Sequence, residues 1–466
     1  MHDPGNILLR TDSYKFTHWK QYPPGAERVY SYFESRGGKW QDVVFFGLQY
    51  YLKRYLEGKV VSPRDIDEAE EMVGRHFSDQ SLFNRRGWEH ILDAHGGCLP
   101  VVIRAVPEGT PVPGHNVLMT VENTDPACYW LPNYLETLLV QVWYGSTVAT
   151  QSREMKNLIL KYLHRTGDPG LIDFKLHDFG FRGVSSVETA GVGGAAHLLS
   201  FQGTDTFEAV MAARDYYGEP MAGFSIPAAE HSTIVAWGQA GEVDAMRNML
   251  DQFPNGTVAV VSDSYDVFEA CEAIWGGALQ DRVLARNGCV VIRLDSGDPQ
   301  AVLAGGKPNV LGILAEKFGY TVNAKGYKVL NPRVRLIQSD GVDFGVLDGI
   351  LHAMQRAGFS ADNIAFGSGG ALLQKLNRDT LKFAFKCAAV TVDGIDRDVF
   401  KNPVTDPGKR SKSGRMKLVK TEDAGVIRYQ TVRMDQPGED QLVEVFRDGR
   451  IMREWTFSEV RRRART

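Results

Sequence analysis

The chain has 466 residues, 43% hydrophobic, with a formal net charge of −4. That length allows two or three domains with a large core, and the near-neutral balance excludes bulk electrostatic binding to nucleic acid or a membrane surface. The five cysteines (Cys98, Cys128, Cys271, Cys289, Cys387) are odd in number and lack metal-knuckle or redox-pair spacing, which fits a reducing, cytoplasmic setting; no run suggests a signal peptide or a membrane span.

Residues 1–150 read as a mixed α and β segment. Val29 to Glu34 alternates like a strand. Ser62-Pro63-Arg64-Asp65 is a helix start, with Ser as cap, Pro at the first position and an acid in the first turn; the helix should run to about Phe77. Leu99 to Val106 and Asn116 to Val121 read as strands. Leu131 to Trp143 reads as one apolar helix, with a second from about Val148.

Residues 151–380 read as a (β/α) barrel-like catalytic domain. Val290-Val291-Ile292-Arg293-Leu294 is a β-branched run that ends on Asp295-Ser296-Gly297-Asp298-Pro299, which is turn chemistry. Arg293 and Asp295 share one side of that strand, so together they could hold an anion and a hydroxyl. Similar apolar runs end on Asp178, on Ser262-Asp263, on Ser339-Asp340 and on Gly367-Ser368-Gly369-Gly370. His231, Asp263 and Asp295 stand 32 residues apart, long enough for one βα unit each. Polar residues at the C-terminal ends of parallel strands converge on one face, where (β/α) barrels keep their active sites.

Several of these features have two readings. The Gly367–Gly370 run is either a tight turn or a phosphate cradle with Arg378 as a supporting cation. Gly191-Val192-Gly193-Gly194 resembles a dinucleotide fingerprint, but no buried strand leads into it, so close helix packing is the favoured reading. His177 and His231 are hydrogen-bonding or catalytic; Phe179 and Tyr14 are core or ligand-stacking residues. No His, Cys or Asp cluster has metal-ligand spacing, although Asp263, Asp295 and Asp340 could bind Mg²⁺ through water.

Residues 381–466 change character. Phe383 to Val390 is a strand, followed by a basic loop around Lys409, Arg410, Lys412 and Arg415 that either pins a polyphosphate or is simply solvated. Hairpin-like strands follow at 426–433 and 442–446, and Arg461 to Arg465 reads as a solvated helix end. This segment should pack with the N-terminal one into an α+β domain formed from both chain ends. From the residues alone, the chain is an α/β enzyme that handles a phosphorylated sugar.

Six ordered stretches carry a resemblance: Thr11 to Lys15, His177 to Ser186, Gly203 to Thr206, Pro227 to Ser232, Val261 to Asp266 and Phe366 to Gly370. Together they resemble the nicotinamide phosphoribosyltransferase family of type II phosphoribosyltransferases, almost end to end. The resemblance implies a homodimer with shared active sites. It implies transfer of a phosphoribosyl group from 5-phosphoribosyl 1-pyrophosphate to nicotinamide, with Mg²⁺ as cofactor and ATP as a stimulating co-substrate. By resemblance, Phe179 and the partner subunit's Tyr14 sandwich the pyridine ring. Asp205 accepts from the carboxamide and repels nicotinate. Arg182, Arg293 and His231 hold the diphosphate, and His231 is phosphorylated by ATP. Asp295 takes ribose hydroxyls, while Ser225, Leu294, Ser339, Asp340, Gly369, Gly370 and Arg378 contact the nucleotide. Lys401, Lys409 and Arg410 reach phosphates, and Asp263 supports Mg²⁺–pyrophosphate.

Three positions depart from the family pattern: Leu294 where Pro is usual, Ser339 where Gly is usual, and Ala371 where a third Gly is common. A side chain at Ser339 would crowd the ribose if the backbone comes close. Two other functions compete: a nicotinate-using relative of the same fold, which should lack a carboxylate at Asp205, and a non-catalytic pyridine-nucleotide-binding protein, against which the intact Arg293, Asp295 and His231 set argues.

Overall fold

Within residues 176–368 lies a six-stranded sheet that pairs in parallel throughout: Gly203–Thr204, Leu176–Asp178, Ile364–Ser368, Val334–Gln338, Asn287–Leu294 and Asn255–Val261, in that spatial order. They are β-branched or apolar, and the buried Val258, Val260, Val290, Ile292, Leu336 and Phe366 come from them. Along Asn287–Leu294 burial alternates, with Val290, Ile292 and Leu294 in the core and Cys289, Val291 and Arg293 partly open. The sheet curls, and its two edges approach one irregular segment. Gly203 on one edge bridges Phe224, and Ala259 on the other bridges Ala228. Between them Ala259 donates to the Pro227 carbonyl at 2.9 Å. Pro227 itself has no N–H to continue a ladder, so the seam is made of isolated bridges and not a strand.

This computed structural model describes residues 5–405, 410–423 and 426–465. The chain divides into two units, one of residues 151–214 and 220–376, the other of 1–150, 215–219 and 377–466. The second unit therefore draws on both chain ends, with its later boundary at 376/377.

In that second unit a seven-stranded antiparallel sheet runs Ile395–Asp398, Phe383–Val392, Ala26–Ser35, Val117–Asn123, Val101–Ala105, Val443–Arg447, Arg450–Ile451. Tyr32, Phe33, Met119, Ile103 and Phe446 are fully buried along it. The helix Pro63–Phe77 starts where the sequence places it. Ser62 and Asp65 form a reciprocal capping box, which satisfies two otherwise orphan donors.

Four expectations need correction. The apolar stretch from Leu131 is not one helix: it breaks into Leu131–Tyr134 and Glu136–Leu139, and the 25-residue helix begins at Val142. Gly145 lies inside that helix, where packing overrides its low propensity. The strand Val426–Arg433 pairs with Met416–Asp423, and Val443–Arg447 pairs with Val101–Ala105, so these two do not form a hairpin with each other. In the basic loop, Lys412 pairs with the buried Glu34, and Arg415 lies 2.7 Å from Glu122 and 3.4 Å from Asp396; both are internal cations. At the C-terminal helix Phe457–Ala464, Arg463 donates to the Glu108 carbonyl at 2.6 Å and sits over Trp455, so that residue is packed and not merely solvated. Among the described residues no helix is long and apolar enough to cross a membrane.

Candidate functional site

Each strand of the parallel sheet delivers one or more of the expected site residues where it ends. Phe179 follows Leu176–Asp178, Asp205 follows Gly203–Thr204, and Asp263 follows Asn255–Val261. Arg293 and Asp295 bracket the end of Asn287–Leu294, Ser339 follows Val334–Gln338, and Gly369 and Gly370 follow Ile364–Ser368. Glu230 and His231 follow the seam segment. These ends surround a cleft of about 760 Å³ lined by Phe179, Arg182, Asp205, His231, Arg293, Asp295, Ser339, Gly369 and Gly370, together with Phe181, Gly183, Thr206, Glu230 and Ser232. Nine expected site residues therefore meet in one place.

The centre is a hydrogen-bonded chain. Arg293 donates through Nη2 to Asp295 at 3.0 Å and through Nε to the Ser339 hydroxyl at 2.9 Å. The Ser339 hydroxyl in turn donates to Asp295 Oδ1 at 2.7 Å. The Ser339 side chain is thus built into the Arg293–Asp295 pair. Asp263 is almost completely buried; it accepts from the Asp295 amide at 2.9 Å and lies 3.3 Å from His231 Nε2. An acceptor at that distance favours the tautomer with the proton on Nε2 and the lone pair on Nδ1. That Nδ1 stands 3.8 Å from Asp295.

Phe179 floors the cleft, with the Arg293 guanidinium 5.7 Å from its ring centroid. Gly367 explains why the ring fits. A Cβ at that position would fall 2.1 Å from Phe179 Cε2. Asp205 is exposed and accepts from the Ser225 hydroxyl. Asp205 and Phe179 also line an inner cavity of about 480 Å³, walled by strand residues such as Ala259, Val291 and Ile337 and by His177 and Lys175. Burial pushes the Lys175 amine down to about 7, yet it donates to the carbonyls of Ala361, Asp362 and Ile364. All three of its protons are spent on the backbone, which makes it a structural residue.

Other expected residues lie elsewhere. Leu294 is fully buried; its side chain belongs to the core and cannot touch a ligand. Ser225 lines the inner cavity and acts on Asp205. Asp340 is exposed but does not line the cleft. Tyr14, Arg378 and Lys401 belong to the antiparallel unit and line a cleft of about 920 Å³ there, with Arg36, Lys382 and Lys386. Tyr14 is 59% exposed, so its ring is open to a further contact. Arg410 is exposed, and Lys409 lies outside the described residues. The Gly191–Gly194 run is the middle of a buried helix, Val187–His197. A Cβ at Gly194 would meet Ala209 at 2.5 Å, so helix packing is its role.

Sequence reasoning passed over Glu230, Ser232 and Phe181, although each stands inside a quoted stretch. It also passed over Arg36, Lys382 and Lys386, which carry no local signal beyond their charge.

Comparison with known proteins gives a consistent picture. Residues 174–450 match the nicotinate phosphoribosyltransferase (NAPRTase) family, and residues 6–103 match the nicotinamide phosphoribosyltransferase N-terminal domain. The chain is 51% identical to a nicotinamide phosphoribosyltransferase of Xanthomonas campestris pv. campestris, covering 100% of this chain and 99% of that one. It is 33% identical to the Acinetobacter baylyi nicotinamide phosphoribosyltransferase, over 98% and 97% of the two chains. The fold is similar to that of human nicotinic acid phosphoribosyltransferase, with a TM-score of 0.57 at 18% identity over 98% and 93% of the chains. It is also similar to a Pyrococcus furiosus nicotinate-nucleotide pyrophosphorylase, with a TM-score of 0.60 at 17% identity over 100% and 96%.

Proposed function

The chain belongs to the nicotinate phosphoribosyltransferase (NAPRTase) family, and we infer that within it the protein is a nicotinamide phosphoribosyltransferase. It joins nicotinamide to 5-phosphoribosyl 1-pyrophosphate, giving nicotinamide mononucleotide and pyrophosphate in NAD salvage. The observation that carries nicotinamide over nicotinate is Asp205, an exposed carboxylate lining the cleft beside Phe179. A carboxylate accepts from an amide N–H and repels a second carboxylate.

The reaction forms a bond from the pyridine nitrogen to the ribose carbon and breaks that carbon's bond to pyrophosphate, which leaves with the electron pair. The transition state is positive at the sugar and increasingly negative at the leaving group. Phe179 positions the ring, and Asp295 offers negative charge and hydroxyl contacts to the sugar. Arg293 and Arg182 face the departing phosphates, where a fixed guanidinium fork stabilises developing charge. Asp295 would hold an Mg²⁺ ion brought in with the diphosphate, and the ion would supply countercharge for the leaving group. Asp263 is not a direct ligand in this reading, because both its oxygens are engaged by His231 and the Asp295 amide.

Gly367→Ala should push Phe179 off its position and raise KM for nicotinamide about tenfold, the scale of one lost aromatic stack. An unchanged KM would show that the ring does not hold the base.

ATP stimulation rests on His231. Asp263 holds Nε2–H, so Nδ1 is the nucleophile that takes the phosphoryl group. With both bases offered in turn, wild type should make mononucleotide from nicotinamide, faster with ATP. His231→Ala should keep slow basal transfer and lose the ATP response. ATP stimulation surviving in that variant would remove His231 from the coupling, and nicotinate as the sole acceptor would overturn the substrate assignment.

The functional unit is a cytoplasmic homodimer in which the partner subunit's Tyr14 closes over Phe179. Tyr14→Ala and Arg293→Ala should each be nearly inactive. Mixed and re-equilibrated, they should form hybrids in which about a quarter of all sites are intact. Activity that stays at the level of the separate variants would argue for sites made within one chain.

A further inference from the structure

Two histidines and an aspartate meet far from this chemistry in the sequence and outside the residues used above. His90 and His95 lie on the helix Arg85–His95, and Asp125 stands just after the strand Val117–Asn123. His90 Nε2 is 2.8 Å and His95 Nε2 is 2.6 Å from the same oxygen, Asp125 Oδ2. We propose that His90, His95 and Asp125 form a binding site for a divalent transition-metal cation of the zinc class.

The donor set fits that class. Two imidazoles and one carboxylate are borderline nitrogen and oxygen ligands, suited to zinc and its neighbours and poorly suited to Mg²⁺ or Ca²⁺. The three donor atoms all lie within 4.8 Å of one another. Around a tetrahedral zinc ion such donors sit about 3.3 Å apart, so the ion enters with only a small opening of the cluster. Its remaining position is open to water, because the side chains are 39%, 25% and 20% exposed.

The ligands are also held in place. The other oxygen of Asp125 accepts from the Ala127 amide at 2.8 Å, which leaves Oδ2 turned to the rings. The Asn123 side chain donates to the Asp125 carbonyl at 2.7 Å. The histidine helix is anchored by the buried Trp88 and Ile91. Ligands on a rigid helix with an oriented carboxylate are what a metal site needs. A bound ion would tie that helix to the turn after the strand.

The test uses tag-free, full-length enzyme stripped with a chelator. Calorimetric titration with Zn²⁺ should show one site per chain that Mg²⁺ neither fills nor displaces. His90→Ala and, separately, Asp125→Asn should weaken that site by at least about 100-fold, while His231→Ala leaves it intact. Zinc should raise Tm in wild type but not in His90→Ala. Retention of transferase activity by His90→Ala shows that the variant is folded. Zinc affinity that is unchanged in His90→Ala and in His95→Ala overturns the proposal. So does zinc binding that disappears with His231→Ala instead, since the ion would then belong to the transferase cleft.

Discussion

Arg293→Ala should lower kcat/KM about a thousandfold while leaving the fold in place. The magnitude follows from what the guanidinium does at once. It donates to Asp295 at 3.0 Å and to Ser339 at 2.9 Å, and it sits 5.7 Å from the Phe179 ring centroid. In the proposed reaction it also faces the departing diphosphate, since it lines the cleft. Loss of one donor that stabilises developing negative charge costs about 100- to 1,000-fold. Here the same substitution also leaves the Asp295 carboxylate without its cation and removes the donor to the Ser339 hydroxyl, so the upper end is expected, roughly 4 kcal/mol. Arg293→Lys should recover little of it. One ammonium cannot span Asp295, Ser339 and a phosphate with fork geometry. Steady-state kinetics with phosphoribosyl pyrophosphate varied decides the matter, and a loss smaller than tenfold would mean that another cation carries the leaving group.

The same network shows where sequence reading stops. Arg293 and Asp295 were legible because a β-branched run ended on turn residues, and the 32-residue steps from His231 to Asp263 to Asp295 marked successive strand ends. The capping box at Ser62 and the alternation along Val29 to Glu34 were legible because they are local. Ser339 was different. As a departure from a usual Gly it read as an obstacle near the ribose, whereas its hydroxyl links Arg293 to Asp295. That link joins positions 46 and 44 residues away, and no local pattern encodes it. Leu294 was expected at the site by resemblance alone, yet strand alternation sends its side chain to the core. The segment Ala222 to Pro227 is apolar like the strands and leads to His231, yet it forms only isolated bridges, because Pro227 has no N–H to continue a ladder. His90 and His95 reach Asp125 across 35 and 30 residues, a meeting set by tertiary packing. Lys412 and Arg415 carried only their charge in the sequence; their partners Glu34 and Glu122 lie on strands about 300 residues earlier or more. Local chemistry was therefore readable, and the couplings between strand ends were not.

Asp205→Asn should reduce the preference for nicotinamide over nicotinate by roughly 30-fold, mostly by a gain with nicotinate. Asp205 stands at the end of Gly203–Thr204, its amide fixed on the Asp178 carbonyl at 2.9 Å. Two carboxylates about 4 Å apart repel by about 4 kcal/mol at an effective dielectric constant near 20. Asp205 is exposed, so water screens part of this, and about 2 kcal/mol is left for discrimination, which corresponds to that 30-fold. Ser225 decides how the new amide behaves. Its hydroxyl donates to the Asp205 side chain in the native protein, and it should hold the oxygen of the new amide in the same way. The amide nitrogen then faces the cleft, where it can donate to nicotinate's carboxylate or to the carbonyl of nicotinamide. Nicotinamide therefore loses an acceptor for its N–H but gains a donor for its oxygen, and its kcat/KM should fall only a few-fold. The ratio of kcat/KM values for the two bases, measured in the variant and the native enzyme, tests the charge directly. A ratio that does not move would mean that the shape of the inner cavity, and not the carboxylate, selects the base.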